Sequence, residues 1–157
     1  MSKQDVIESW IESVTRENAS LGGFPVCPYA KHSKYKIIEC SAKEISVFAP
    51  GHEQYDVVVY IVEDKFSPIT LRKWCDQFNA EYEDYIFLDD HRDADTYIKD
   101  VKTGNGRYNL ILCQSKAKLR RFREMLSKTD YYDYWDKSYL ETILGEDLDV
   151  ICQSTLG

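Results

Sequence analysis

The chain predicts an α+β fold, a ferredoxin-like sandwich with a mainly antiparallel sheet and helices on one face. Three observations predict it. The central patterns run strand, helix, strand, strand, helix, with one or two strands before them. Val57-Val58-Val59-Tyr60-Ile61-Val62 is an unbroken β-prone run, the pattern of a central strand buried on both faces. The glycine fingerprint of a dinucleotide fold and the phosphate-loop motif are both absent. A small three-layer α/β domain is the alternative arrangement.

The elements follow in order. Val6, Ile7, Trp10, Ile11 and Val14 recur at helical spacing, so residues 3–19 form an amphipathic helix. Leu21-Gly22-Gly23-Phe24-Pro25 stops it, because Gly and Pro continue a helix only at a cost. Tyr35 to Cys40 is β-prone, and Glu44 to Phe48 alternates weakly, as an early strand would. Pro50-Gly51-His52-Glu53 marks a turn before the strand at 56–63. Ser67-Pro68 starts a helix with a Ser N-cap and Pro at the first helical position. Leu71, Trp74, Cys75, Phe78 and Tyr82 give that helix one apolar stripe.

Tyr85 to Leu88 is the next strand, followed by a polar stretch from Asp89 to Arg107. Asn105-Gly106 is a hairpin signal joining that stretch to a strand at 108–113. Ser115 caps a helix carrying Leu119, Phe122, Met125 and Leu126. Tyr139, Leu140, Ile143 and Leu144 form a last short helix ended by Gly145, and the tail 146–157 is weakly patterned.

Composition narrows the class. The 157 residues carry a net charge of −7, with 43 % hydrophobic and 13 % aromatic residues, enough to build one core in a single domain spanning 1–157. The acidic balance disfavours nucleic acid as a partner. No apolar run is long enough to cross a bilayer, and Met1 to Asp5 shows no apolar leader. A cytoplasmic protein with reduced thiols is the expectation. Cysteines 27, 40, 75, 113 and 152 form no Cys-x-x-Cys pair, so neither a zinc ribbon nor a dithiol centre is encoded. Cys40, Cys75 and Cys113 fall in strands or an apolar stripe and read as core.

Cys27-Pro28 is the first candidate for chemistry. A thiol at a helix N-cap faces free N–H groups and the positive end of the dipole, which favour thiolate. Lys31 and His32 follow about one turn on and add positive potential. The bland alternative makes Cys27 a small buried hydrophobe. The second candidate is Asp89-Asp90-His91-Arg92-Asp93-Ala94-Asp95, directly after a strand. His91 would be a general base, and Asp89, His91 and Asp93 would be the ligands of a divalent cation such as Mg²⁺ or Mn²⁺. An acidic solvated loop is the alternative. The third candidate is basic: Lys116, Lys118, Arg120, Arg121, Arg123 and Lys128, beside Tyr131, Tyr132, Tyr134 and Trp135.

Cys27-Pro28-Tyr29-Ala30 resembles the glutaredoxin motif with its second Cys replaced by Ala30, but a helix and a Gly-Gly turn precede it rather than a strand. Trp10 followed by Val26-Cys27-Pro28-Tyr29-Ala30-Lys31 resembles a family of short uncharacterised bacterial and phage proteins. Its members open with a Trp-bearing helix and then a Leu-Cys-Pro-Phe-Ala-like motif. The likeness covers about the first third of the chain. It implies a compact α+β fold and a role for the Cys-Pro segment, and carries no activity. Where that family has His-Pro-type motifs, this chain has Asp90-His91-Arg92.

Two functions are expected from these residues. One is an enzyme with Cys27 as thiolate and His91 or His32 as its base, with Tyr29, Lys31, Arg92, Asp93, Asp95 and Asn105 binding the substrate. The other is a non-catalytic module that binds through the basic helix 116–128 and the aromatic cluster 131–135. The first requires Cys27 to lie at a cleft near an imidazole.

Overall fold

In the computed structural model, which describes residues 1–31, 33–48, 54–98, 101–134 and 140, Ser2 opens the first helix with a reciprocal cap. The Asp5 N–H donates to Ser2 Oγ at 3.1 Å and the Ser2 N–H donates to the Asp5 carboxylate at 3.2 Å. Helix α1 (Lys3–Thr15) buries Ile7, Ile11 and Val14. A 3₁₀ turn at Ala19–Leu21 follows, closed by Gly22 at φ 66°, a left-handed conformation that suits glycine. One turn of helix, α2 (Pro28–Lys31), leads to strand β1 (Tyr35–Cys40).

The segment expected to be an early strand at 44–48 is instead part of helix α3 (Ala42–Phe48). Its start is capped: Ser41 donates to Glu44 Oε1 through its N–H at 3.1 Å and its hydroxyl at 2.9 Å, and the Ala42 N–H reaches Asp64 at 2.7 Å. This Ser-x-x-Glu cap outweighs the weak alternation of Glu44-Ile45-Ser46-Val47-Phe48. Helix α3 is the crossover that lets β1 run parallel to β2 (Val57–Val62).

Ser67 caps α4 (Pro68–Glu81) by accepting from the Thr70 N–H at 3.2 Å. Strand β3 (Tyr85–Asp90) follows, then the short strands β4 (Tyr97–Ile98) and β5 (Val101–Lys102) of a hairpin. Asn105-Gly106 does lie between the polar stretch and the next strand, but β5 and that strand belong to separate sheets, so the dipeptide joins them without forming a hairpin. Strand β6 (Asn109–Ser115) and helix α5 (Lys116–Ser127) complete the described elements, with a 3₁₀ turn at Tyr131–Tyr134. The expected helix at 139–144 lies outside the described residues except for Leu140.

The four-stranded sheet has the order β1-β2-β6-β3. Strand β6 is antiparallel to both β2 and β3, so the sheet is mixed. The fold is α+β, and the ferredoxin-like expectation needs correction on two points: β1 is parallel to β2, and helices cover both faces. All six residues of β2 are buried, and they alternate between two cores. Val58, Tyr60 and Val62 pack with Ile45 of α3 and with Leu71, Cys75 and Phe78 of α4. Val57, Val59 and Ile61 pack with Ile7 and Ile11 of α1, Tyr29 of α2 and Leu119 of α5. A strand apolar on both sides requires cover on both sides, so the layering is that of the three-layer alternative. No helix among the described residues is long and apolar enough to cross a membrane.

Candidate functional site

Strand β3 is a sheet edge, and a cavity of about 770 Å³ wraps around it, lined on one side by residues of α1, α2 and α5 and on the other by Arg72, Cys75, Asp76 and Asn79 of α4. Ile86 and Leu88 of β3 and Leu112 and Gln114 of β6 line it, facing Trp10 and Cys27. The register pairs Ile86 with Gln114, Leu88 with Leu112 and Asp90 with Leu110, so these side chains share one face of the sheet. The Trp10 indole is fixed by its N–H, which donates to the Thr103 carbonyl at 3.1 Å.

Cys27 immediately precedes α2. Its N–H donates to the Val14 carbonyl at 2.8 Å, and the backbone N–H groups of Ala30 and Tyr29 pull its thiol pKa down. Yet burial among Trp10, Val14, Leu21 and Val26 pushes the thiol pKa up, outweighing those N–H groups and the Arg123 charge, all of which pull it down. Burial thus works against the thiolate expected at this position.

His91 lines the same cavity but is 4 % exposed, and both ring nitrogens are engaged. Nε2 lies 2.6 Å from the Phe66 carbonyl, and Nδ1 accepts from the Asp93 N–H at 3.1 Å. These partners assign the neutral Nε2–H tautomer and a clamping role, with no lone pair left for a base. His32, like His52, lies outside the described residues.

The residues expected to bind a substrate or metal are dispersed. Asp89 faces the α4 side of the cavity, where it pairs with Arg72 at 2.7 Å. Arg92, Asp93 and Asp95 are exposed, and Lys31 pairs with Glu17 at 3.5 Å on the surface. Among the described residues no group of three His, Cys, Asp or Glu is placed to hold a metal ion, so Asp89, His91 and Asp93 do not converge. The basic helix is also divided. Lys118 pairs with Asp56 at 2.8 Å, whereas Arg123 is buried and lines the cavity. Tyr131 is buried, its hydroxyl donating to the Val26 carbonyl at 2.6 Å, and Trp135 lies outside the described residues.

Asn105 acts differently from the expectation. Its N–H and its side-chain amide both donate to Asp90 Oδ2, at 3.0 and 2.6 Å. Asp90 lines the cavity, and burial pushes its pKa up against the pull of these two bonds. Gln114 is 7 % exposed, and its Oε1 has no hydrogen-bond partner among the described residues. The Tyr29 hydroxyl is also buried without a well-formed hydrogen bond, and burial raises its pKa to about 12.

Sequence reading passed over Gln114 and gave Asp90 no role of its own within its acidic stretch. Their signal was parity: each ends an inward series, Ile86-Leu88-Asp90 and Leu110-Leu112-Gln114, with a polar group where an apolar one belongs. Set against protein families, curated proteins and solved structures, the chain matches none.

Proposed function

We propose that this protein binds a small molecule in the cavity beside β3, with Cys27 as a neutral wall rather than a nucleophile. The observation that carries the reading is the orphaned Gln114 Oε1, buried on the cavity floor. More than nine in ten buried polar groups have a hydrogen-bond partner, and an exception in a lined cavity marks a place for a ligand's donor. A volume of about 770 Å³ falls within the range of small-molecule sites. The resemblance carried by Trp10 and Cys27-Pro28 agrees with this reading, since both residues line the cavity.

Thiolate catalysis has less support, because burial keeps Cys27 protonated and His91 spends both nitrogens on backbone groups. The basic-helix module has less support because Arg123 points inward and Lys118 is paired.

Titration with 8-anilinonaphthalene-1-sulfonate tests the reading. Saturable one-to-one fluorescence enhancement is expected, weakened about tenfold or more by Leu112→Trp, which fills the floor; tenfold corresponds to about 1.4 kcal/mol. Absence of saturable binding, or equal binding by a folded Leu112→Trp variant, overturns it.

A further inference from the structure

We infer that the cavity takes an organic amine with an apolar body, its ammonium set against Asp90 and a neutral N–H or O–H donor set against Gln114. The inference rests on the cavity being a ligand site and names the class of ligand.

Asp90 carries the first half. It is 9 % exposed, and no Lys or Arg among the described residues forms an ion pair with it. The neighbouring Asp89 takes Arg72, both lining the α4 side of the cavity, and the adjoining His91 is held by backbone groups. A buried carboxylate without a cation is costly, and proteins keep one where a charge partner arrives from elsewhere. The two carboxylate oxygens are unequal. Asn105 saturates Oδ2, while Oδ1 accepts no hydrogen bond among the described residues. Oδ1 lies close to Gly104, where an added Cβ would sit 3.1 Å from that oxygen.

Gln114 carries the second half. Its free Oε1 is an acceptor and asks for a donor. Asp90 is opposite Leu110, and Gln114 lies four residues further along β6 on the same face. Their backbones are therefore about 13 Å apart, a gap that the two side chains shorten. Leu88 and Leu112 face each other between them. The floor thus presents a carboxylate, an apolar strip and an amide oxygen in line. An anionic ligand fits less well: Arg72, Lys116 and Arg123, the cations of the lining, already carry interactions within the chain.

Calorimetric titration of the full chain with tryptamine, indole-3-acetate and 3-(2-aminoethyl)benzothiophene tests this. Tryptamine supplies both donors, indole-3-acetate reverses the charge, and the benzothiophene lacks the ring N–H. Tryptamine is expected to bind one-to-one, at least about tenfold tighter than either analogue. Asp90→Asn is expected to erase the preference over indole-3-acetate, and Gln114→Leu the preference over the benzothiophene. Should Asp90→Asn fail to fold, the wild-type ranking decides. Indole-3-acetate binding as tightly as tryptamine overturns the inference. If the anilinonaphthalene sulfonate still fills the cavity and tryptamine does not bind, the amine class falls and the ligand site stands. If neither binds, both fall.

Discussion

The side chain of Asn79 pairs with both backbone groups of Phe87. Its Nδ2 donates to the Phe87 carbonyl at 3.0 Å, and its Oδ1 accepts the Phe87 N–H at 2.7 Å. Phe87 lies on β3, a strand with one free edge. An amide on α4 thus imitates the missing neighbour strand and occupies the edge where another chain would add. Asn79→Leu is expected to cost about 1–3 kcal/mol by stranding those two groups. It is also expected to promote self-association, visible by sedimentation at raised concentration. An unchanged urea midpoint would contradict this.

Cys27 is expected to react slowly. Iodoacetamide labelling near pH 7.5, followed by peptide mass spectrometry, should find it alkylated more slowly than free cysteine, since burial holds the thiol protonated. Cys27→Ser should change stability by less than about 1 kcal/mol, because serine suits the position before a helix. Labelling faster than the free amino acid would return the thiolate to consideration.

Asp90 makes a specific contribution to pH dependence. Its pKa is raised in the folded state, so the folded protein holds this proton more tightly than the unfolded chain does. Its effect is therefore a stability that is present at acid pH. That stability is lost as pH rises from the ordinary carboxylate value, about 3.9, through the raised folded value. Glu44 and Asp56 are shifted down and act in the opposite sense. The contribution is thus read as a difference: urea midpoints of wild type minus Asp90→Asn should fall with increasing pH across this window. A flat difference would show that Asp90 does not titrate in it.

Tyr131 tethers the segment that holds Cys27. Its hydroxyl donates to the Val26 carbonyl at 2.6 Å, and its ring meets Phe24 edge-on with centroids 5.4 Å apart. Tyr131→Phe keeps the ring and removes the donor, so a loss of about 1–1.5 kcal/mol is expected. The accompanying sign should be faster amide exchange at Cys27, whose N–H is bonded to Val14. Exchange unchanged there would mean that the Phe24 contact alone sets the loop.

Much of the framework was legible because it is local. The helix starts at Ser67-Pro68 and Cys27-Pro28 and the Val57–Val62 run are set by neighbours along the chain. What failed depends on distant partners. Residues 44–48 became helical when Asp64 and Glu44 satisfied the groups at the start of α3. Asn105-Gly106 has hairpin chemistry, but Asn105 is drawn to Asp90, fifteen positions earlier. The site was legible only in outline: Cys27, Tyr29 and His91 do line one cavity. Their chemistry was not legible, because solvation and the second nitrogen of an imidazole are decided by what packs around them.

The position of β6 has a consequence for assembly. This strand is last of the four in the chain and yet sits between β2 and β3. A nascent chain that has emerged only as far as residue 108 holds two strands with no common neighbour, each showing an unsatisfied edge. Translation must deliver Asn109 to Ser115 before the sheet can close, and the pairing it then makes with β2 is long-range along the chain. The pocket floor is therefore a late product of synthesis, and shortened chains ending before β6 would be substrates for chaperones and proteases rather than partial binders.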